Sequence, residues 1–476
     1  GASSSNISQW EGFKMDDEMV MQSDAIDGQS AIDSSDVDSK HKRTIDDLGM
    51  TPFIKKVTFL CLGSSFLDGY DLSLIGVALT QIKPMFDLDA VWSGLIGASV
   101  MTGILFGTVA GGFITDVLGR KKMLIIDLIA VGTIAVLSAL VTTPAELLVA
   151  RLFLGFFVGA DYPIATSMIA EFSPKKKRAF TMGLVSTSWY VGATAAAIVG
   201  YCLYPVEGGW RFMLASGVIP AVILLIGRSH IPESPMWLAQ KGRIKEATEI
   251  MHEHFGPDVE VQYEDPSEKT SLGKILKQSG YRKRIIFVGL LILCQVVPMY
   301  AIYTFGPDIM TAFGMGAGRE SILGESLVSA FFLAGSIPAM FWLNTLGRRK
   351  ELIGSLVIMT IGMLVLGFWP SAPIVVVILS FGIYAFFAGG PGILQWLYPN
   401  ELFPTQVRAS ATGVAIGISR IGTIVGVYGT PTMLEVFGVG PTMLVGAGLT
   451  IALLILSIFM APETKGKSLI ESSSLD

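Results

Sequence analysis

Long apolar stretches alternate with short polar ones along most of the chain. Apolar runs fall near 57–80, 92–115, 122–141, 146–169, 179–203 and 210–227, then near 285–308, 321–344, 351–369, 373–397, 408–430 and 440–461. Each is long enough, as a helix, to cross about 30 Å of hydrocarbon. The pattern predicts an all-α membrane protein of twelve transmembrane helices, six before and six after a longer polar stretch at 228–284. Within that stretch, 235–252 mixes apolar and charged positions at helical spacing. It predicts short amphipathic helices lying under the bundle. Residues 1–50 hold eleven acidic against four basic residues, with serine-rich runs and few large apolar side chains. They read as an acidic, solvated tail, and they lack the basic-then-apolar pattern of a signal peptide. The expected domains are the tail at 1–50, bundles at 51–227 and 285–462, the linker at 228–284 and a cytoplasmic tail at 463–476.

The second set of spans repeats the first. Glu171, Pro174 and Arg178 are spaced E-x-x-P-x-x-x-R, and Glu401, Pro404 and Arg408 repeat the spacing 230 residues on. Pro232-Glu233-Ser234 returns at the same offset as Pro462-Glu463-Thr464, and Gly119-Arg120-Lys121 returns 228 residues later as Gly347-Arg348-Arg349. A period this long is a duplicated half-protein rather than a solenoid repeat. In an apolar chain it implies a transporter of two pseudo-symmetric six-helix bundles with the substrate between them.

Composition agrees. The chain is 51% hydrophobic and 15% charged, with a mean hydropathy of +0.60. That is too little charge to clothe a soluble protein of 476 residues. The 53 glycines suit helices that pack backbone to backbone in lipid. Three cysteines in apolar stretches, without metal spacing, read as small core residues and neither disulfides nor ligands. The net charge of −5 comes from the tail; without it the body is near +2. The basic residues cluster after spans two, four, eight and twelve and before span one. The positive-inside rule then puts both termini and the linker in the cytoplasm. There is no phosphate-binding GxxxxGK[ST] loop and no Ser/His/Asp set, so neither an ATP-driven pump nor an enzyme is indicated, and no cofactor, metal or nucleic-acid partner. The expected partners are a small-molecule substrate, a proton and the lipid bilayer, with the chain acting as a monomer.

Asp116, Gly119, Arg120 and both E-x-x-P-x-x-x-R segments, with 232–238 and 462–466, resemble the motifs of the major facilitator superfamily. The likeness is to its sugar-porter and metabolite–proton symporter branch and covers about residues 50–470. It implies alternating access. Asp116, Gly119, Arg120, Glu171, Arg178, Arg348, Glu401 and Arg408 are then expected as a cytoplasmic gate. Their acids and bases would pair when that side is shut. The second copy has Asn344 where the first has Asp116, which predicts a weaker latch there.

Charges the fold requires would be duplicated with it; several intramembrane charges are not. At the 230-residue offset, Asp68 and Asp71 of span one correspond to Pro298 and Ala301, and Arg151 and Asp161 of span four correspond to Phe381 and Pro391. Ionisable groups inside a span are costly and mark function. Asp68 and Asp71 are three apart and share a helix face. The resemblance implies Asp71, in Gly69-Tyr70-Asp71, and Arg151 as the proton-coupling pair, with Asp68 as a further acid. Asp127 reads as structural. Arg420, twelve residues into span eleven, suits a carboxylate because guanidinium binds carboxylates in two-pronged fashion; pairing with Asp161 or Asp68 is the alternative. Span seven keeps Gln295 of the sugar-porter pattern but has Cys294 and Tyr300 in place of its other amides. Asp161, Trp189, Tyr190, Gln295, Tyr300, Tyr303, Tyr384, Gln395, Trp396 and Arg420 are expected to line the substrate cavity. The substrate is then a small polar organic molecule, an organic acid before a hexose. A sugar or polyol symporter or uniporter, and a drug/proton antiporter, remain as alternatives. The location implied is a bacterial inner membrane.

Overall fold

The computed structural model describes residues 42–262, 272–404, 408–467 and 469–475. The side chains of Asp116, Arg178 and Arg408 lie outside the described part, as does most of the acidic tail. Among the described residues, twelve long helices make up the body. In the first half they are α1 (Pro52–Phe86), α2 (Ala90–Leu118), α3 (Arg120–Ala139), α4 (Pro144–Phe172), α5 (Lys175–Leu203) and α6 (Gly209–Arg228, broken at Ser216 and Gly217). The second half has α7 (Ser279–Ala312), α8 (Arg319–Thr345), α9 (Arg348–Phe368), α10 (Ile374–Leu402, broken at Ala388), α11 (Arg408–Val436) and α12 (Val439–Met460). These match the predicted spans one for one.

Eleven of the twelve are long and apolar enough to cross a membrane on composition alone. The exception is α1, whose serines and two aspartates dilute its apolar content. Its burial shows why this is tolerated: Ser64, Ser65, Asp68, Asp71 and Ser73 all face protein. Lipid-facing side chains elsewhere are large and apolar, such as Phe106, Phe153, Ile223 and Phe459.

Within the first half, α2 packs on α4 and α1 on α5; within the second, α7 packs on α11 and α9 on α12. Across the halves α2 meets α11, α5 meets α8 and α1 meets α7. Glycine permits the closest approaches. A Cβ on Gly103 would lie 2.1 Å from the Leu152 carbonyl oxygen, and one on Gly155 2.1 Å from that of Val100. Between α1 and α5, a Cβ on Gly69 would lie 2.1 Å from the Trp189 carbonyl oxygen, and one on Gly192 2.0 Å from that of Phe66. Backbone cannot yield as a side-chain tip can. Gly69→Ala is therefore expected to cost about 1–3 kcal/mol, the usual range for overpacking, and to lower the thermal unfolding midpoint in detergent. An unchanged midpoint would mean that α1 and α5 separate at no cost.

The linker carries short helices at Pro235–Gln240, Ile244–Phe255 and Leu272–Leu276. The second is docked under the first half, where Phe53 at the start of α1 stacks on His254 with ring centroids 4.0 Å apart. Part of the expected tail is also pinned. Arg43 pairs with Asp258 at 2.6 Å and shares a backbone bridge with Val259, which holds this end of the expected tail against the linker. Cys61 and Cys294 are buried, but Cys202 is exposed near the end of α5, against the expectation of a core position.

Candidate functional site

The two ends of the bundle differ. One, here the motif end, carries the repeated basic segments. There the Arg120 guanidinium pairs with Glu171, whose other oxygen accepts from the Ser234 hydroxyl. Glu233 caps α3, accepting from the backbone N–H groups of Arg120 and Lys121 at 3.1 Å each. The second half repeats the arrangement. Arg348 pairs with Glu401 at 2.9 Å, Thr464 donates to Glu401, and Glu463 accepts from the backbone N–H of Arg348 at 3.0 Å and of Arg349 at 3.2 Å. A carboxylate at a helix N-terminus meets both free N–H groups and the positive end of the helix dipole. The P-E-S and P-E-T segments, read from the sequence only as landmarks, thus supply a cap and a clasp to each half. All of these pairs close within one half.

Burial works against the charge of Glu463, but three backbone N–H groups and the Arg348 guanidinium overcome it and hold the carboxyl below its usual 4.5. A depressed carboxylate adds stability that is complete above the unfolded value and lost as pH falls through the folded one. The clasp is therefore expected to hold at neutral pH and to loosen only below about 4.5. Thermal midpoints measured against pH should fall more steeply in acid for the native protein than for Glu463→Gln. Parallel curves would count against the cap.

At the opposite end, contacts do cross the halves. Lys83 of α1 pairs with Asp308 of α7 at 2.6 Å. Arg319 of α8 lies 4.2 Å over the Tyr201 ring of α5 and donates to its carbonyl at 3.3 Å.

Midway lies a cavity lined from both halves. Ser65 and Asp68 come from α1, Ser186, Trp189 and Tyr190 from α5, Met299 and Tyr300 from α7, Gln395 and Trp396 from α10 and Arg420 from α11. It holds about 40 Å³ of space for water-sized spheres, room for only a few waters. Asp68 accepts from Trp189 Nε1 at 3.1 Å, while its other carboxylate oxygen has no hydrogen-bond partner. Arg420 is within electrostatic reach of Asp68 and lies 5.7 Å from the Tyr300 ring centroid. An acid from one half and a guanidinium from the other therefore share one small space.

Behind it stands an aromatic wall. Trp189 packs edge-on against Tyr300 and Tyr303 at 5.9 and 5.1 Å, and Phe332 bridges Tyr190, Tyr303 and Tyr384. Gln295 is 1% exposed and lies beside the Tyr190 hydroxyl, yet neither amide atom completes a hydrogen bond. Its polar capacity is left for something else.

Three predicted residues lie in neither the cavity nor the aromatic wall. Asp71 turns away from the cavity toward the break in α6, where a Cβ on Gly217 would touch its Oδ1. Arg151 donates to the Asp71 backbone carbonyl at 3.2 Å and not to its carboxylate. Asp161 does not line the cavity either; it pairs with Arg228 at 3.1 Å inside the first half. Arg228 was missed in the sequence because it ends α6, where a lone basic residue reads as the cytoplasmic flank of a span. Glu325 of α8 was missed as well. It is 3% exposed and packs over Gly306, beside the one residue of α7 with non-helical backbone angles, Phe305.

Residues 56–475 match the family described as Sugar (and other) transporter. The chain belongs to that family. The transporter is 49% identical over 433 residues to YaaU of Escherichia coli (strain K12), whose name assigns it to metabolite transport; the alignment covers 91% of this chain and 97% of YaaU. Identity is 30% to the inner membrane metabolite transport protein YgcS of the same organism, covering 90% and 96%. Among solved structures, the proton:xylose symporter XylE, a major facilitator, superposes with a TM-score of 0.71 at 23% identity, over 88% of this chain and 98% of that one. At that identity the likeness shows the fold. The chain is a multi-pass membrane transporter of the major facilitator fold and not an enzyme.

Proposed function

We propose that this transporter is a proton-coupled importer of a small polar organic acid, acting as a monomer in a bacterial cytoplasmic membrane with both termini and the motif end inside. The observation that carries the reading is the meeting of Asp68 and Arg420, one from each half, in a single cavity. A substrate carboxylate on Arg420 would sit beside Asp68. Two negative charges at that range repel strongly in a medium of low dielectric. The anion therefore binds well only when Asp68 carries a proton, and by linkage the proton binds best when the anion is present. That reciprocity is symport. The names of YgcS and XylE, as an inner-membrane protein and a proton symporter, support the membrane and the driving ion.

Alternating access follows from the ends. The Lys83–Asp308 pair and the Arg319–Tyr201 contact join the halves opposite the motif end. Opening that side requires parting them. The clasps at the motif end keep each half rigid while it rocks. Asp71 and Arg151, buried behind the cavity, then tune the first half without touching substrate. Asp116, Gly119, Arg178 and Arg408 keep the gate role that the motifs imply.

A sugar or polyol is the second reading, favoured by the unsatisfied amide of Gln295 and by Gln395 in the cavity. The two readings are separated by ligand-induced thermal shift. Purified protein is screened against hydroxy acids, sugar acids, neutral sugars and polyols, because a ligand stabilises the state it binds. Stabilisation by acids that grows as pH falls supports the first reading. Stabilisation by neutral sugars alone overturns it.

A further inference from the structure

A second set of ionisable groups lies inside the first half, apart from the cavity. Asp127 of α3, Asp161 of α4 and Arg228 of α6 are 0%, 5% and 1% exposed. Arg228 is fully engaged: it donates to Asp161 Oδ1 at 3.1 Å, to the Leu60 carbonyl at 3.2 Å and to the Ser64 hydroxyl. Asp127 receives nothing. Neither of its carboxylate oxygens has a hydrogen-bond partner, although Asp161 and Arg228 are both within electrostatic reach. From α1, Cys61 faces Arg228 and Asp161, and Asp68 reaches Asp161 from the cavity side. Among the described residues no other ionisable group acts on Asp127.

The charges do not balance. Two carboxylates against one guanidinium leave one negative charge in a dry interior, on a group with no donor to hold it. An unpaired buried charge costs several kcal/mol. One proton removes the imbalance: Asp161 stays ionised against Arg228, and Asp127 becomes a neutral acid.

We propose that Asp127 and Asp161 hold one proton between them beside Arg228, forming a protonation site of the first half that is separate from the substrate cavity. The position gives it a role, which rests on the proton-coupled reading above. Asp127 is seven residues from the start of α3 and Asp161 eleven from the end of α4, roughly 10–17 Å beneath the motif end at 1.5 Å per residue. Ser64, which holds Arg228, is the neighbour of Ser65 in the cavity wall. The site thus lies between Asp68 and the motif end, where a proton leaving the cavity would pause. The step is a plain transfer: an O–H bond breaks at one carboxyl and forms at the next, and nothing is oxidised.

The test needs no substrate. Infrared difference spectra of the purified full chain in liposomes report each protonated carboxyl by its C=O stretch. Near neutral pH, the native protein should show a carboxylic-acid band that is lost in Asp127→Asn. It should also be lost in Asp161→Asn, because either change leaves one acid to pair with Arg228. The band should persist in Asp68→Asn and in Glu325→Gln, which remove acids elsewhere. Should one variant misfold, the other still decides the matter, with thermal midpoints reporting which is intact. A spectrum in which folded Asp127→Asn and Asp161→Asn both retain every acid band of the native protein overturns the proposal. If the band behaves as expected while Asp68→Asn still accumulates substrate, the site stands and only the coupling role of Asp68 fails.

Discussion

Asp68→Asn is expected to abolish uphill accumulation while leaving exchange of substrate across the membrane. Asparagine keeps the shape and can still accept from Trp189 Nε1, which now donates to the carboxylate at 3.1 Å. It cannot take a proton. The anion then binds beside a permanently neutral group, so its affinity stops depending on pH and the proton gradient does no work. The size of the loss follows from the gradient. One coupled proton and a pH difference of one unit correspond to about 1.4 kcal/mol, or tenfold accumulation. Proteoliposomes loaded with such a gradient should approach tenfold with the native protein and remain near equality with the variant. Exchange of labelled for unlabelled substrate should continue. The sequence alone favours Asp71 as the coupling acid. Asp71→Asn is therefore the essential comparison. Loss of accumulation in Asp71→Asn with full accumulation in Asp68→Asn would move the coupling proton to the Asp71–Arg151 site.

Arg420→Ala should raise the substrate dissociation constant at least tenfold, about 1.4 kcal/mol. A charge-assisted contact removed from a buried site costs this much or more. Arg420→Lys should recover part of the affinity, because an ammonium restores the charge but not the planar fork. The double variant Asp68→Asn with Arg420→Ala separates the two substrate classes. For an acid, the double variant stays weak, since the carboxylate has lost its cation whatever Asp68 does. For a neutral sugar, removing both charges together should restore much of what either single change loses. Electrical behaviour gives an independent check. A monovalent anion carried with one proton moves no net charge, so membrane potential alone should not drive uptake. A neutral solute with a proton would gain about 2.3 kcal/mol per 100 mV. Uptake driven by potential in the absence of a pH gradient would falsify the organic-acid reading.

The architecture was legible in the sequence because its determinants are local or repeated. A span needs only a long enough apolar run, and each of the twelve runs became a helix. The duplication needs only matched motifs; Glu171 with Arg120 and Glu401 with Arg348 then fold into equivalent clasps. The cavity aromatics were legible too, because Trp189, Tyr190 and Tyr300 sit at mid-helix on spans that the repeat places around one axis. The partners of the charges were not legible. Asp68 and Asp71 are three residues apart on one helix, and spacing alone puts them on one face. The tertiary structure separates them: close approach at Gly69 turns Asp68 toward Trp189 and the cavity, while Asp71 meets the break in α6. Asp161 looked like a cavity residue until Arg228, 67 positions away, proved to be its partner. Apolar periodicity and the positive-inside bias are read within one stretch of chain, so sequence fixes which helices form and how they repeat. A buried charge is decided by which distant helix supplies the counter-charge, and only the packed bundle decides that.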